Sequence, residues 1–232
     1  MKISIFTVFF IMKGEIFVKN TKTKKMVLVA ILMALGMILN LIEIPYPFAP
    51  WLSLDLSEIV VLVAIELLGI IPTLFVCIGK CIVSLLFKGP VGPFGIGQIT
   101  AMIASMSIAL TYHFLNQKVH FSSKTKTYIF NMFITMLVFA LIMYIINYLF
   151  VTPTYLMNKP TWYTNLPFSV DIQAFNGQYG SNLSVPSILN FMSPYAQAIF
   201  IIYFPFNFIK GILCALVYRF VQPIVLKTKE TL

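Results

Sequence analysis

The sequence predicts an all-α integral membrane protein with six transmembrane helices. Three observations carry that prediction. First, 59% of the 232 residues are hydrophobic, only 10% are charged, and the mean hydropathy is +0.93; a soluble globular domain carries about 25% charged residues. Second, six apolar runs approach spanning length. Third, the basic residues gather between those runs rather than along one stripe, so the net charge of +9 points to membrane topology and not to nucleic acid.

The first run extends from about Met26 to Ile44. The second and third, Asp55 to Ile71 and Pro72 to Phe87, share a tight Gly69–Pro72 turn. The fourth covers Gly95 to Leu115, the fifth Tyr128 to Phe150 and the sixth Tyr195 to Val221. Roughly 20 residues cross the hydrocarbon core, so the short second and third runs are expected to span less squarely. The N-terminal tail, the loop with Lys118, Lys124 and Lys126, and the C-terminus with Arg219, Lys227 and Lys229 hold 12 of the 16 basic residues. Six spans put all three regions on one side, which the positive-inside rule makes cytoplasmic. The expected organisation is a leader over 1–25, cytoplasmic or interfacial, a membrane domain over 26–221 and a cytoplasmic tail over 222–232, in a multi-pass protein of the cell membrane. Within the leader, Ile3 to Met12 is apolar but too short to span, and it lacks a small-residue cleavage site.

In the first segment, Ala30 and Ala34 stand one turn apart and let another helix approach closely. That approach serves either packing inside the bundle or docking of a partner subunit. The external loop Glu43 to Glu58 carries Pro45, Pro47 and Pro50, which hold its backbone extended. Trp51 either stacks on a flat ligand or anchors at the membrane interface. Asp55 or Ser57 is expected to cap the second helix, with Glu58 complementing its dipole. Glu66 and Lys80, both intramembrane, are expected to pair across the Gly69–Pro72 turn.

The loop Lys88 to Gln98 contains Gly89, Gly92, Gly95 and Gly97. It lacks the Gly-Lys-Ser/Thr ending of a phosphate loop, so its glycines are expected to permit turns and a close approach to ligand or helix. Asn147, near the outer end of the fifth segment, is either a ligand contact or an interhelical hydrogen bond. The long external segment 151–194, with Trp162, Tyr163, Phe168 and Phe175, is expected to lie over the outer mouth.

The most telling stretch is Phe204 to Gly211. Asn207 and Lys210 share one helix face, roughly 18 Å and 13 Å from Arg219 at 1.5 Å per residue. Polar groups at that depth face a bundle interior or a wet cavity. Pro205 removes a backbone donor just before them. Cys77, Cys81 and Cys214 lie in apolar runs and are expected to be inert thiols. His113 and His120 have no carboxylate at ligand spacing. With no converging His, carboxylate and nucleophile and no Walker motif, no enzyme activity, metal or cofactor is expected.

Three motifs give the chain a family resemblance: Trp51-Leu52-Ser53-Leu54-Asp55-Leu56-Ser57-Glu58, the glycine-rich loop around Gly95, and Pro205-Phe206-Asn207 followed by Lys210-Gly211. With these, the chain resembles the S components of energy-coupling factor (ECF) transporters, and among them the riboflavin-binding type, from about Met26 to Val221. The resemblance implies an ECF S-component-like bundle that captures riboflavin, or a related flavin, from outside. It implies as partners a transmembrane T subunit and two ATPase subunits that supply energy, in a membrane-lipid setting and without nucleic acid. Ala30 and Ala34 match the family's T-docking motif. Asn207 and Lys210 would hydrogen-bond the ligand, Asn147 would join them, and Trp51, Leu52, Ser53, Leu54 and Asp55 would line the ring. An S component for folate, pantothenate or thiamine, and a non-transport scaffold, are the alternatives.

Overall fold

The computed structural model describes residues 21–47, 49–157, 187–189, 191–192 and 194–230. The leader up to residue 20 and the aromatics expected over the mouth, Trp162, Tyr163, Phe168 and Phe175, lie outside them. Among the described residues the main elements are six helices: α1 (Thr21–Leu41), α2 (Glu58–Leu68), α3 (Ile70–Lys88), α4 (Ile96–Lys118), α5 (Lys124–Ile146) and α6 (Pro194–Lys229). Five of the spans they contain are long and apolar enough to cross a membrane.

The exception is α2. Its 11 residues extend about 16 Å, half the hydrocarbon core. The expected second span, Asp55 to Ile71, is therefore only partly helical. Immediately before it the chain forms an antiparallel hairpin, β1 (Ile44–Tyr46) with β2 (Ala49–Leu54), pairing Ile44 with Leu54 and Pro45 with Ser53, and helix begins only at Glu58. The prolines that keep this loop extended suit it to a two-stranded edge, where a missing N–H is tolerated. Tyr46 and Ala49 of the hairpin bury against Tyr195, Ala198, Ile199, Ile202 and Phe206 of α6.

Every residue of α2 except Glu66 is buried. A helix apolar all round belongs in the centre, and α2 packs against α1, α3, α4 and α6. The remaining neighbours run α1–α3–α4–α5–α6 around it. Gly211 lets α5 and α6 meet, since a Cβ there would come within 2.7 Å of Met136 Sδ.

Helix ends differ from expectation in ways that follow from propensity. Lys22, Lys24 and Lys25 are good helix formers, and α1 already includes them, ahead of the expected Met26. α6 continues past Val221 to Lys229, so most of the expected tail is helix. α5 passes through a π-helical turn, Asn147–Val151, into a short helix, Thr152–Met157, where a loop was expected to begin.

The expected Glu66–Lys80 pair does not form. Lys80 Nζ bonds Glu58 Oε1 at 2.8 Å and Ser57 Oγ at 3.1 Å. Glu66 instead meets Lys229 at 3.1 Å. Distance from the turn decides this. Glu58 and Lys80 each stand eleven residues from Gly69, one before and one after, whereas Glu66 stands only three away. Ser105 of α4 also donates to Glu58 Oε1, at 3.0 Å, so one buried carboxylate ties α2, α3 and α4 together. Removing one partner of a buried pair costs about 3–5 kcal/mol, because the other charge is left unpaired. Lys80→Met is therefore expected to lower the melting temperature of the ligand-free protein, and Lys80→Met with Glu58→Gln to recover most of it. Equal losses in both would show that the pair does not hold these helices.

Candidate functional site: a cavity beneath the hairpin

Because α2 begins so deep, a cavity of about 440 Å³ opens between the hairpin and helices α3 to α6. That volume is in the range of small-molecule sites. Of the residues singled out from sequence, Leu52, Ser53, Asp55, Asn147, Asn207 and Lys210 line it.

Asp55 sits between β2 and α2, where the backbone is neither strand nor helix. It is buried, and its two oxygens have different partners. Oδ2 accepts from Lys210 Nζ at 2.7 Å, and Oδ1 accepts from the Ser57 backbone N–H at 2.9 Å. The expected capping role thus takes a modified form. Ser57 is itself helical and its side chain makes no cap bond. Glu58, expected to complement the helix dipole, is committed to Lys80 and Ser105 instead. Lys210 is not a lone ammonium in front of a ligand; it forms half of an ion pair across α6 and the α2 approach.

Asn207 and Asn147 are treated alike by the fold. Each is buried on the cavity wall and donates its amide N–H to its own helix, to Tyr203 O and Met143 O respectively, both at 2.7 Å. These bonds fix the direction of each carboxamide. The π turn does further work here. The π turn brings Thr152, five residues on, to the cavity side with Asn147 and Val151; an ideal 3.6-residue helix would keep Val151 on that face but turn Thr152 away. Tyr195 of α6 donates to Tyr148 O at 2.9 Å and braces the turn.

Two expected site residues stand off the cavity. Leu54 packs into the cluster between hairpin and α6. Gly95 acts one step back, taking a left-handed conformation (φ 69°) at the start of α4. There it lets the chain turn so that Gly97 and Gln98 line the cavity. Gln98 clasps the glycine loop, donating to Gly89 O at 2.6 Å and accepting from Val91 N–H at 2.9 Å. Trp51 lies in β2, and its side chain is outside the described part of the structure. Ala30 and Ala34 are exposed on the outward face of α1, so internal packing does not account for them.

Sequence reasoning missed Phe139, Met143, Tyr203 and Phe206, the aromatic and apolar walls, because such residues read as ordinary membrane-helix composition. It also missed Asn40, Glu43 and Lys88 at the outer rim. Their shared position at the outer ends of the first and third segments was the available signal.

The geometry can be set beside known proteins. The chain is 24% identical over 201 residues to the riboflavin transporter FmnP of Bacillus subtilis, covering 86% of this chain and 90% of that one. It is 26% identical over 211 residues to the riboflavin transporter RibU of Staphylococcus aureus, covering 89% and 93%. A solved S component of a bacterial ECF transporter shares its fold, with a TM-score of 0.61, 22% identity, and coverage of 88% of this chain and 95% of that chain. The model of the ECF transporter substrate-specific component matches residues 24–221. That match runs from the first turn of α1 deep into α6 and takes in every wall of the cavity, and the chain belongs to the family of ECF transporter substrate-specific components.

Proposed function

We propose that this protein captures riboflavin on the outer side of the cell membrane and delivers it through an ECF transporter. The observation that carries this reading is the cavity itself. Two oriented carboxamides, Asn147 and Asn207, and the Lys210–Asp55 pair face a space walled by Phe139, Tyr203 and Phe206. A neutral, flat, three-ring ligand with an imide edge and a polyol tail suits aromatic walls with few, fixed hydrogen-bonding groups. The names of the two relatives support the same ligand. The protein spans the membrane several times. The basic residues of the fourth-to-fifth loop and of the C-terminus support an orientation with both termini cytoplasmic. The exposed Ala30 and Ala34 are the proposed docking face for the T subunit, which with its ATPases supplies the energy.

The first test is to purify the protein from cells and identify the small molecule that travels with it. A flavin, visible by its yellow absorbance, is expected; another vitamin or none would overturn the reading. Asn207→Ala is expected to weaken riboflavin binding roughly 5- to 150-fold, the equivalent of about 1–3 kcal/mol for a hydrogen bond lost in a buried site. Fluorescence titration reads this directly.

The Lys210–Asp55 pair separates binding from stability. Lys210→Met leaves Asp55 buried and unpaired, so a large loss of thermal stability is expected. Adding Asp55→Asn should restore much of that stability while riboflavin binding stays weak. Wild-type affinity in the double variant would remove Lys210 from the ligand's contacts.

Docking is tested by bulk. Ala34→Leu should abolish riboflavin uptake by whole cells while the purified protein still binds the vitamin. A reporter fused after Lys229 should read cytoplasmic. A parallel loss of binding, or an external reporter, would contradict this arrangement.

A further inference from the structure

We propose that the Lys88–Glu43 ion pair at the cavity mouth selects the uncharged polyol tail of the ligand over its phosphate monoester, an inference that rests on the riboflavin reading above. Lys88 is the last residue of α3, and Glu43 lies between α1 and β1; both line the cavity. Lys88 Nζ bonds the Glu43 carboxylate and also donates to Asn40 O at 2.8 Å. The pair thus ties the outer end of α3 to the outer end of α1 across the mouth.

The two ends of the cavity differ in wetness. The mouth pair has side chains 20% and 42% exposed, against 15% and 7% for Lys210 and Asp55 at the floor. Aromatic surface loses water more cheaply than a row of hydroxyls. The flavin ring therefore belongs at the floor, among Phe139, Phe206 and the carboxamides, and the polyol at the mouth beside Lys88 and Glu43.

Charge then decides what tail is accepted. Among the described residues that line the cavity, the cations are Lys88 and Lys210 and the carboxylates are Glu43 and Asp55. Each ammonium bonds one carboxylate. A hydroxyl can donate to Glu43 or accept from Lys88 and leave the pair intact. A phosphate, with about −1.5 to −2 charges at neutral pH, meets no unmatched cation and faces the Glu43 carboxylate.

The test uses purified full-length protein freed of bound flavin and titrated with riboflavin and with flavin mononucleotide by fluorescence. The quantity read is the ratio of the two affinities. The wild type is expected to favour riboflavin. Glu43→Gln releases the Lys88 ammonium and should move the ratio roughly tenfold toward the phosphate ester, the scale of one charge-assisted contact. Adding Lys88→Gln should cancel that movement. Raised salt should weaken phosphate-ester binding to Glu43→Gln more than riboflavin binding, which supplies a readout independent of the second substitution. A wild type that prefers the phosphate ester, or a ratio unmoved in Glu43→Gln, overturns the proposal and leaves the riboflavin reading standing. A wild type that binds neither flavin removes both.

Discussion

The contact between Lys210 and Asp55 is the one on which the rest of this architecture depends. It joins the middle of α6 to the point where the chain stops being a hairpin and becomes α2. Neither charge could stay at that depth alone, since an isolated ion in low dielectric is too costly. The same carboxylate also accepts the Ser57 N–H, satisfying a donor at the start of α2 that has no partner within the helix. One side chain therefore fixes where α2 begins, how deep the hairpin reaches and where the cavity floor lies. Beneath it the Glu58, Lys80 and Ser105 cluster repeats the device one layer further in.

A second constraint gives the cavity its shape. In hydrocarbon every backbone polar group needs a partner, so a gap in a bundle cannot be made with loose chain. Here the shortened α2 is completed by strands that bond to each other, and the α5 wall is adjusted by a π turn braced by Tyr195. Both irregular pieces contribute residues to the cavity wall: Leu52 and Ser53 from the hairpin, Asn147 and Val151 from the π turn.

The parts of this structure legible in sequence were those governed by hydropathy and by isolated polar residues. The five long spans follow from apolar runs. Asn207, Lys210 and Asn147 stood out because polar groups are rare at their depth, and all three reach the cavity. The hairpin was not legible, because Ala49 to Leu54 alternates too weakly to be told from a proline-stiffened loop. Nor was the true partner of Lys80. Choosing between Glu58 and Glu66 required knowing that the turn pivots on Gly69, so that residues equally far along α2 and α3 meet. Gly95 was assigned to the lining on the strength of its loop, yet its contribution is the left-handed turn that presents Gly97 and Gln98. The aromatic walls carried no signal at all, since Phe139 and Phe206 look like any lipid-facing residue until packing turns them inward.

The length of α6 has a mechanical consequence. Its 36 residues make a rod of about 54 Å, against a hydrocarbon layer of about 30 Å. Tilt within the usual 0–40° range absorbs only part of the excess. The remainder, from Arg219 onward, carries Pro223 and stays packed on the bundle, with Val225 buried in the core and Lys229 meeting Glu66 of α2. The C-terminal end of α6 is thus coupled to two places at once: to α2 directly through Glu66, and along its own helix to Lys210 and the cavity floor.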